Sequence, residues 1–587
     1  AEQLKKSSGI ELLIDRRASG AHKGIVLCMS EEAGITRENK KEKEAYRLEI
    51  TPDGATICAA EKEGLFNGVQ TLRQLIIHYG SSLPCLYIED YPALSVRGWF
   101  MDVTRGRIPK MSYLKELADR CSLYKINQLH LYIEHTFLFD GLSEVWRDDT
   151  PLTAQDILEF DAYCAERNIE LVPSVATFGH LYKVLRTKTF HELSEVEEAE
   201  GTAFSFYERM CHHTLNSTDD RAYELVCRLI DEYSPLFRSN LFNINCDETF
   251  DLGRGRGKER ADEIGSHVMY VQWVNRVCEH VKALGKRPMF WGDIIAAHPE
   301  AIKELPEDVI CMTWDYSPTP REINVKKLWE NGAHQYLCPG VQGWNQAIHL
   351  LDNAYENIKQ MAAFAHKYDG EGLLNTDWGD FGHFQHPELS MVGIIYGAAF
   401  SWNSDIPEKA AINADISVIE YGDSSASLVE VISHMSNQAV VNWGEFVRIL
   451  ENCRYQVAER EVTAFWEKYD KQTENAQEQI ASCNEAIRND MAKVSALLVG
   501  IEEGKRKYIA PILHMAEGQI LINTMFGVLK KVHDGQQNPC ADKKALAEAF
   551  EIWYYEYRRQ WHKISRESEL YRIGELIFWL ADYIREL

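Results

Sequence analysis

Two acidic residues side by side, Asp247 and Glu248, follow the apolar run Leu241–Ile244 and are the first candidates for chemistry. An acidic dipeptide is most often a solvated loop; its place directly after a strand-like run sets this one apart. A carboxyl group can protonate a departing oxygen. Two adjacent carboxylates also raise one another's pKa, which keeps an acid available near neutrality. A glycosidase normally sets two carboxyl groups ~5 Å apart across the scissile bond for retention, and further apart for inversion. Sequence neighbours at one strand end cannot easily straddle a sugar, so a division of labour fits better. Glu248 would protonate the leaving oxygen, while Asp247 orients a nucleophile that the substrate itself supplies. The carbonyl oxygen of an N-acetyl group is suited to that part.

Other side chains of the same character recur at comparable places. Arg97 opens the run 95–103, which ends near Asp102 and Arg105. Glu134 and His135, then His180, Trp291 with Asp293, and Trp314 with Asp315 and Tyr316 close the next runs. Trp344 and Asn345, and finally Trp378 and Asp380, complete the series. Sugar rings present apolar C–H faces and polar rims, so indole walls and acidic acceptors suit them.

These residues need elements to carry them. Strand-like runs fall at 95–103, 126–134, 169–177, 241–247, 287–293, 309–315, 335–339 and 372–378, with amphipathic helical patterns between them. Eight strands alternating with helices over about 300 residues is the requirement of a (β/α)8 barrel, whose active groups project from the C-terminal strand ends. Three units follow: a small α+β domain at 1–92, the α/β barrel at 93–403, and an α-helical domain at 404–587. In the first, Pro52-Asp53-Gly54 marks a hairpin between strands, 65–79 reads as a helix, and 89–92 as a linker. In the last, 463–498, 506–532, 543–565 and 569–585 show helical spacing. The stretch 180–220 is long for a loop and is expected over the barrel mouth.

At this point the chain resembles glycoside hydrolase family 20, the β-N-acetylhexosaminidases, over roughly residues 60 to 400. The resemblance rests on Gly64-Leu65-Phe66-Asn67-Gly68-Val69-Gln70-Thr71-Leu72, Arg97-Gly98-Trp99-Phe100-Met101-Asp102, the strand holding His130, Gly179-His180, and Asp247-Glu248. It implies a small α+β domain before a (β/α)8 barrel. It also implies that Glu248 is the general acid/base and that Asp247 orients the acetamide and stabilises an oxazolinium intermediate. Arg97 resembles the arginine that grips the sugar's outer hydroxyls, a charge-assisted contact. Trp378 and Asp380 resemble ring- and hydroxyl-binding residues, Trp291 and Trp314 would pack around the acetamide methyl, and His180 would tune the acid. Three positions depart from the family pattern. Asn245-Cys246 stand where Gly-Gly is usual, Glu134-His135 replace an acidic pair, and Trp344-Asn345 are the nearest match after the seventh strand.

The remaining features narrow the partners. The 587 residues carry a formal charge of −26, which repels nucleic acid and anionic membranes. No apolar run approaches the roughly 20 residues of a membrane span. The polar opening at Ala1 lacks the core of a retained signal peptide, although a leader trimmed ahead of it is compatible with a chain that starts on Ala. Fourteen cysteines, none in a C-x-x-C pair, fit a reducing compartment and hence the cytoplasm. Cys211-His212-His213 and His383 with His386 lack a second cluster at ligand spacing, so no metal and no cofactor is expected. Gly253-Arg254-Gly255-Arg256-Gly257-Lys258 lacks phosphate-loop spacing and reads as a flexible basic lip. The expected activity is exo-hydrolysis of terminal β-linked GlcNAc or GalNAc on an oligosaccharide or glycoconjugate, with the helical domain offering a homodimer surface. The rivals are a barrel glycosidase with a protein nucleophile (Asp293, Asp315 or Asp380) and a non-catalytic glycan-binding protein.

Overall fold

The computed structural model describes residues 24–31, 36–37, 40–197, 203–211 and 213–587, together with Lys5 and Gly9. His212 and most of the polar opening segment lie outside the described residues. Strands β1 (Gly24–Met29), β2 (Tyr46–Thr51), β3 (Gly54–Ala59) and β4 (Leu86–Asp90) form one sheet in the order β1-β3-β2-β4. β1 runs parallel to β3, and β2 is antiparallel to both of its neighbours. The Pro52-Asp53 turn makes the β2–β3 hairpin. Residues 89–92 are not simply a linker, because Glu89 and Asp90 pair with β2 as the end of β4.

The helix Lys62–Tyr79 packs on this sheet. Its glycines are seams for close approach. A Cβ on Gly64 would stand 2.1 Å from the Ala45 carbonyl oxygen, and one on Gly68 would stand 2.4 Å from Ile57. That part of the family-like motif is therefore packing rather than chemistry.

Eight parallel strands then close a barrel in chain order. They are β5 (Val96–Asp102), β6 (Gln128–Ile133), β7 (Glu170–Val175), β8 (Leu241–Asn243), β9 (Arg287–Trp291), β10 (Ile310–Trp314), β11 (His334–Cys338) and β12 (Gly372–Asp377). β12 pairs with β5 to complete the circle. Strands such as β6 and β12 are buried along their whole length, as parallel strands covered on both faces must be. The outer helices start on recognisable signals. Thr153 and Asp156, for example, form a reciprocal capping box ahead of Ala154–Ala165.

Beyond the barrel's last helix, Met391–Trp402, the described elements are helices. Three short ones (Lys409–Ile419, Leu428–Ser436 and Trp443–Tyr455) precede a set of longer ones. The stretch 463–498 is not one helix: Glu459–Gln472 ends, and Asn475 caps a new helix, Ala476–Leu497, by accepting from the Glu478 N–H. Glu503–His533 is long and apolar enough to cross a bilayer, but 72% of its apolar window is buried inside the domain. One continuous hydrophobic core runs through barrel and helical domain, whereas the small domain has its own, completed by Trp402 of the barrel.

Arg97 belongs to that junction and not to the barrel mouth. It lies at the start of β5, so its side chain emerges at the opposite end of the barrel from the active-site face. Its guanidinium pairs with Glu44 at 2.5 Å and donates to the Lys125 and Leu94 carbonyls, while lying over the Trp402 ring. It is 1% exposed. Removing one partner of such a buried pair costs about 3–5 kcal/mol. Arg97→Ala should therefore lower the unfolding free energy measured in urea by that order while leaving KM for substrate within about twofold of wild type. A large rise in KM at unchanged stability would put Arg97 back among the binding residues.

Candidate active site

The backbone that carries Asp247 and Glu248 is bent sharply. Asn245, Cys246 and Glu248 all take positive φ (58°, 68° and 50°), a region costly for residues with a Cβ. Each has a compensating contact. The Asn245 side chain accepts from Trp291 Nε1 at 2.9 Å and donates to Ser174 Oγ. The Cys246 carbonyl accepts from Tyr270 OH at 3.0 Å, and Cys246 Sγ lies 3.2 Å from Thr177 Oγ1. The Glu248 N–H donates to Asp293 Oδ2 at 3.0 Å. The result turns Asp247 inward, where it is buried, and leaves Glu248 half open to solvent.

His180, itself at φ 61°, faces both acids: its Nε2 is 3.3 Å from Asp247 Oδ2 and 3.3 Å from Glu248 Oε2. Burial opposes a charge on the ring, but Asp247 and the contacts to both carboxylates outweigh it and raise the pKa to about 10. On the other side Nδ1 sits 3.3 Å from Arg105 Nη2. A guanidinium can only donate, so the neutral ring keeps its proton on Nε2, between the two acids. A second proton on Nδ1 meets the Arg105 charge, which adds a smaller opposition to that of burial.

Arg105 occupies the place expected of Arg97. Its Nε is 3.2 Å from Glu134, and its Nη1 is 3.1 Å from Asp102 and 3.4 Å from Asp380. It also lies 5.1 Å over the Trp378 ring. Asp102 ties two strand ends together, since its Oδ2 also accepts from the Gly379 N–H. Despite burial, Arg105 and His135 hold the Glu134 pKa at about 2, so an ionised carboxylate faces the Arg105 guanidinium.

A cavity of about 190 Å³ opens at this end of the barrel. Six of the residues expected from sequence line it: Asp247, Glu248, Trp314, Trp344, Trp378 and Asp380. Arg105, Tyr316 and Met210 complete the wall. Tyr316 stacks on Trp314 (centroids 5.0 Å apart), meets Trp344 edge-on, and accepts from Trp378 Nε1 at 2.7 Å. It was legible beside Trp314 and Asp315 in the sequence; Met210, inside the long insertion, carried no signal. Glu134 and His180 stand behind the wall. Trp291 is fully buried beneath it, 5.6 Å from Trp378. Asn345 is turned to the helical domain: its backbone carbonyl accepts from the Trp443 backbone N–H, and its side-chain oxygen lies against Gly444.

The glycine-rich loop after the dyad is not a free lip. The N–H groups of Gly253, Gly255 and Gly257 all converge on Glu195 Oε1 at 3.0–3.1 Å, and Arg256 donates to the Ser194 and Val196 carbonyls. Alternate glycines let the backbone wrap the carboxylate closely. Two groups among the described residues bring ligand atoms within 4.8 Å of one another, as a cation would require: His180–Asp247–Glu248 and His135–Asp149–Glu569. In the second, Lys183 Nζ already stands 3.4 Å from Asp149 and 3.3 Å from Glu569. His383 and His386 are buried side chains of the loop after β12.

Comparison with known proteins adds to this geometry. Residues 95–369 match the model of the glycosyl hydrolase family 20 catalytic domain, and residues 1–91 match domain 2 of the same family. A β-hexosaminidase of Akkermansia muciniphila is 32% identical over 160 residues, covering 24% of this chain and 32% of that protein. Human hexosaminidase D is 25% identical over 304 residues, 48% of this chain and 59% of its own length. The match thus spans less than two thirds of either relative. Among solved structures, a Flavobacterium johnsoniae chitobiase superposes with a TM-score of 0.59 at 16% identity, covering 94% of this chain and 89% of that one. A mutant Streptomyces plicatus β-hexosaminidase in complex with the product GlcNAc gives a TM-score of 0.56 at 20% identity, covering 73% and 87%.

Asp293 supplies a test of the buried charge. Burial, then the neighbouring Asp247, raises its pKa to about 8, against about 3.9 in an unfolded chain. The folded state therefore holds the extra proton. Its contribution to stability is full below pH ~4 and is lost as pH rises through 8. Asp293→Asn keeps an acceptor for the Glu248 N–H and has no proton to lose. Between pH 5 and 8.5 the melting temperature of the wild type should fall more steeply than that of the variant; parallel curves would show that Asp293 is not a buried acid.

Proposed function

Because the chain belongs to glycoside hydrolase family 20, we propose that it is an exo-β-N-acetylhexosaminidase acting with retention through the acetamide of its own substrate. The observation that carries this reading is the distribution of carboxylates around the cavity. Beyond Asp247 and Glu248, the one further acid lining it among the described residues is Asp380, and Asp380 is engaged by Arg105. The other two candidates for a protein nucleophile do not line it. Asp293 lies beneath, bonded to the Glu248 N–H, and Asp315 accepts from the Ser317 and Arg321 N–H groups. A nucleophile from the substrate fits that arrangement. The cavity is also below the ~300–1,000 Å³ of most ligand pockets, which suits one terminal ring and not an internal stretch of chain.

In this reading the acetamide oxygen attacks C1 as Glu248 gives its proton to the leaving oxygen and the C1–O bond breaks. Buried Asp247 faces the acetamide nitrogen, offsetting the positive charge that forms on the ring-closed intermediate. Water then opens that intermediate, and Glu248 takes the proton back. The His180 N–H between the acids keeps them in register through both steps. Arg105 and Asp380 offer donor and acceptor to the outer hydroxyls, while Trp314, Tyr316, Trp344 and Trp378 offer faces to the C–H surfaces. The mutant Streptomyces plicatus β-hexosaminidase is in complex with the product GlcNAc, the ring this pocket is proposed to hold.

Aryl β-N-acetylglucosaminide and β-N-acetylgalactosaminide, set beside the plain aryl β-glucoside, test the reading. The two acetamido substrates should turn over and the glucoside should not. Glu248→Gln and Asp247→Asn should each lose ~10²–10⁴-fold in kcat, and an N-acetyl-thiazoline should inhibit strongly. Equal cleavage of the glucoside would transfer the nucleophile to the protein and end the substrate-assisted account.

A further inference from the structure

Among the described residues, Met210 is the one lining residue that comes from the long insertion after β7; the barrel holds that insertion at Glu195 and Thr214, and the helical domain holds it just ahead of Met210. The turn Phe206–Arg209 just before it is gripped by two carboxylates from the helical domain. Glu451, on the helix Trp443–Tyr455 and 2% exposed, accepts from Ser205 Oγ at 2.8 Å, Phe206 N–H at 2.8 Å and Tyr207 N–H at 2.9 Å. Glu569, just ahead of the helix Leu570–Glu586, is ion-paired with Arg209 Nη1 and also accepts from Arg572 Nε at 2.9 Å. Arg209 in turn donates to the Thr104 carbonyl at 2.9 Å and stands 3.9 Å from Glu134, the carboxylate that holds Arg105. The Glu569 N–H bonds the Gly106 carbonyl on the far side of Arg105.

These contacts place the turn beside Arg105, at the wall where Asp380 also stands. Packing there is tight: a Cβ on Gly106 would meet the Gly382 carbonyl at 2.4 Å, and one on Gly382 would meet the Phe206 ring at 2.6 Å. In a cavity wall shared with a guanidinium and a carboxylate, the Met210 thioether is an unbranched apolar surface that can rest on the C–H face of a sugar but cannot accept or donate strongly. We propose that Met210 is a specificity-determining residue for the end of the sugar ring that meets Arg105 and Asp380, and that Glu451 and Glu569 of the helical domain are positioning residues that set it there. This rests on the hexosaminidase reading. It makes the helical domain part of the active site rather than an appendage.

The test compares full-length wild type with Met210→Ala, Glu451→Gln and Glu569→Gln. On aryl β-N-acetylglucosaminide and β-N-acetylgalactosaminide, each variant should raise KM roughly tenfold with kcat within about threefold, and should shift the ratio of kcat/KM between the two sugars. The pH profile of kcat should stay in place, since the dyad and His180 are not touched. Hydrogen exchange, read without substrate, should show faster exchange of the 206–210 amides in Glu451→Gln and Glu569→Gln. Unchanged KM and sugar ratio in Met210→Ala would overturn the specificity role. Unchanged exchange at 206–210 would overturn the positioning role, and a fall in kcat at constant KM would do the same. Should Glu569→Gln fail to fold, Glu451→Gln and Met210→Ala decide the matter alone. A wild type that cleaves neither sugar would sink the hexosaminidase reading, while the exchange measurement would still decide the clamp.

Discussion

A guanidinium buried at the mouth of the barrel governs what surrounds it. Arg105 is 4% exposed, and an ion of that size loses several kcal/mol of hydration when it leaves water. Three carboxylates answer it: Asp102 from its own strand end, Glu134 from the next strand, and Asp380 from the last. Glu134 is then close to Arg209, Arg209 pairs with Glu569, and Glu569 also meets Lys183 and Arg572. The signs alternate along this ladder from the cavity into the helical domain. Each member is tolerable only because its neighbours are present, so loops from four barrel strands and a distant helix are fixed relative to one another by charge.

Strain provides the second constraint. The family pattern has glycines where this chain has Asn245 and Cys246, and the backbone of both is in the left-handed conformation that glycine adopts most readily. Such residues cost of order 1–3 kcal/mol each and persist where the surroundings over-determine them. Here the surroundings are Trp291, Ser174, Thr177, Tyr270 and Asp293, all bonded within four residues of the dyad. The left-handed turn is therefore held, without glycine, by side-chain contacts.

Much of this was legible in the residues. Parallel strands buried on both faces write themselves as apolar runs, which is why eight of them could be read, and residues just after such runs have to face the mouth. That reasoning finds Asp247, Glu248, Trp314, Trp378 and Asp380. It misplaces Arg97 because a motif was followed where the position along the strand should have decided: Arg97 starts β5, and Arg105 follows its end. Trp291 and Glu134 end strands as well, yet one lies below the cavity and the other behind it, a depth that one-dimensional spacing does not encode. The glycine-rich loop looked mobile because its partner, Glu195, is some 60 residues away in the chain. Met210 could not be found at all, since its place depends on Glu451 and Glu569, more than 240 residues further on.

Those separations have a consequence for how the molecule is made. The segment that follows β5 is stitched to the helical domain at several points: Pro109 bridges Ser565, Lys110 bonds the Ile564 carbonyl, and Arg107 donates to Ser565 Oγ across 458 residues. A chain leaving the ribosome can close the barrel once β12 has emerged, but the lining around Arg105 stays unfinished while nearly 200 further residues are added. During that interval an assembled barrel exposes an incomplete, strongly charged mouth. The helices that complete the rim are thus synthesised after the barrel that carries it.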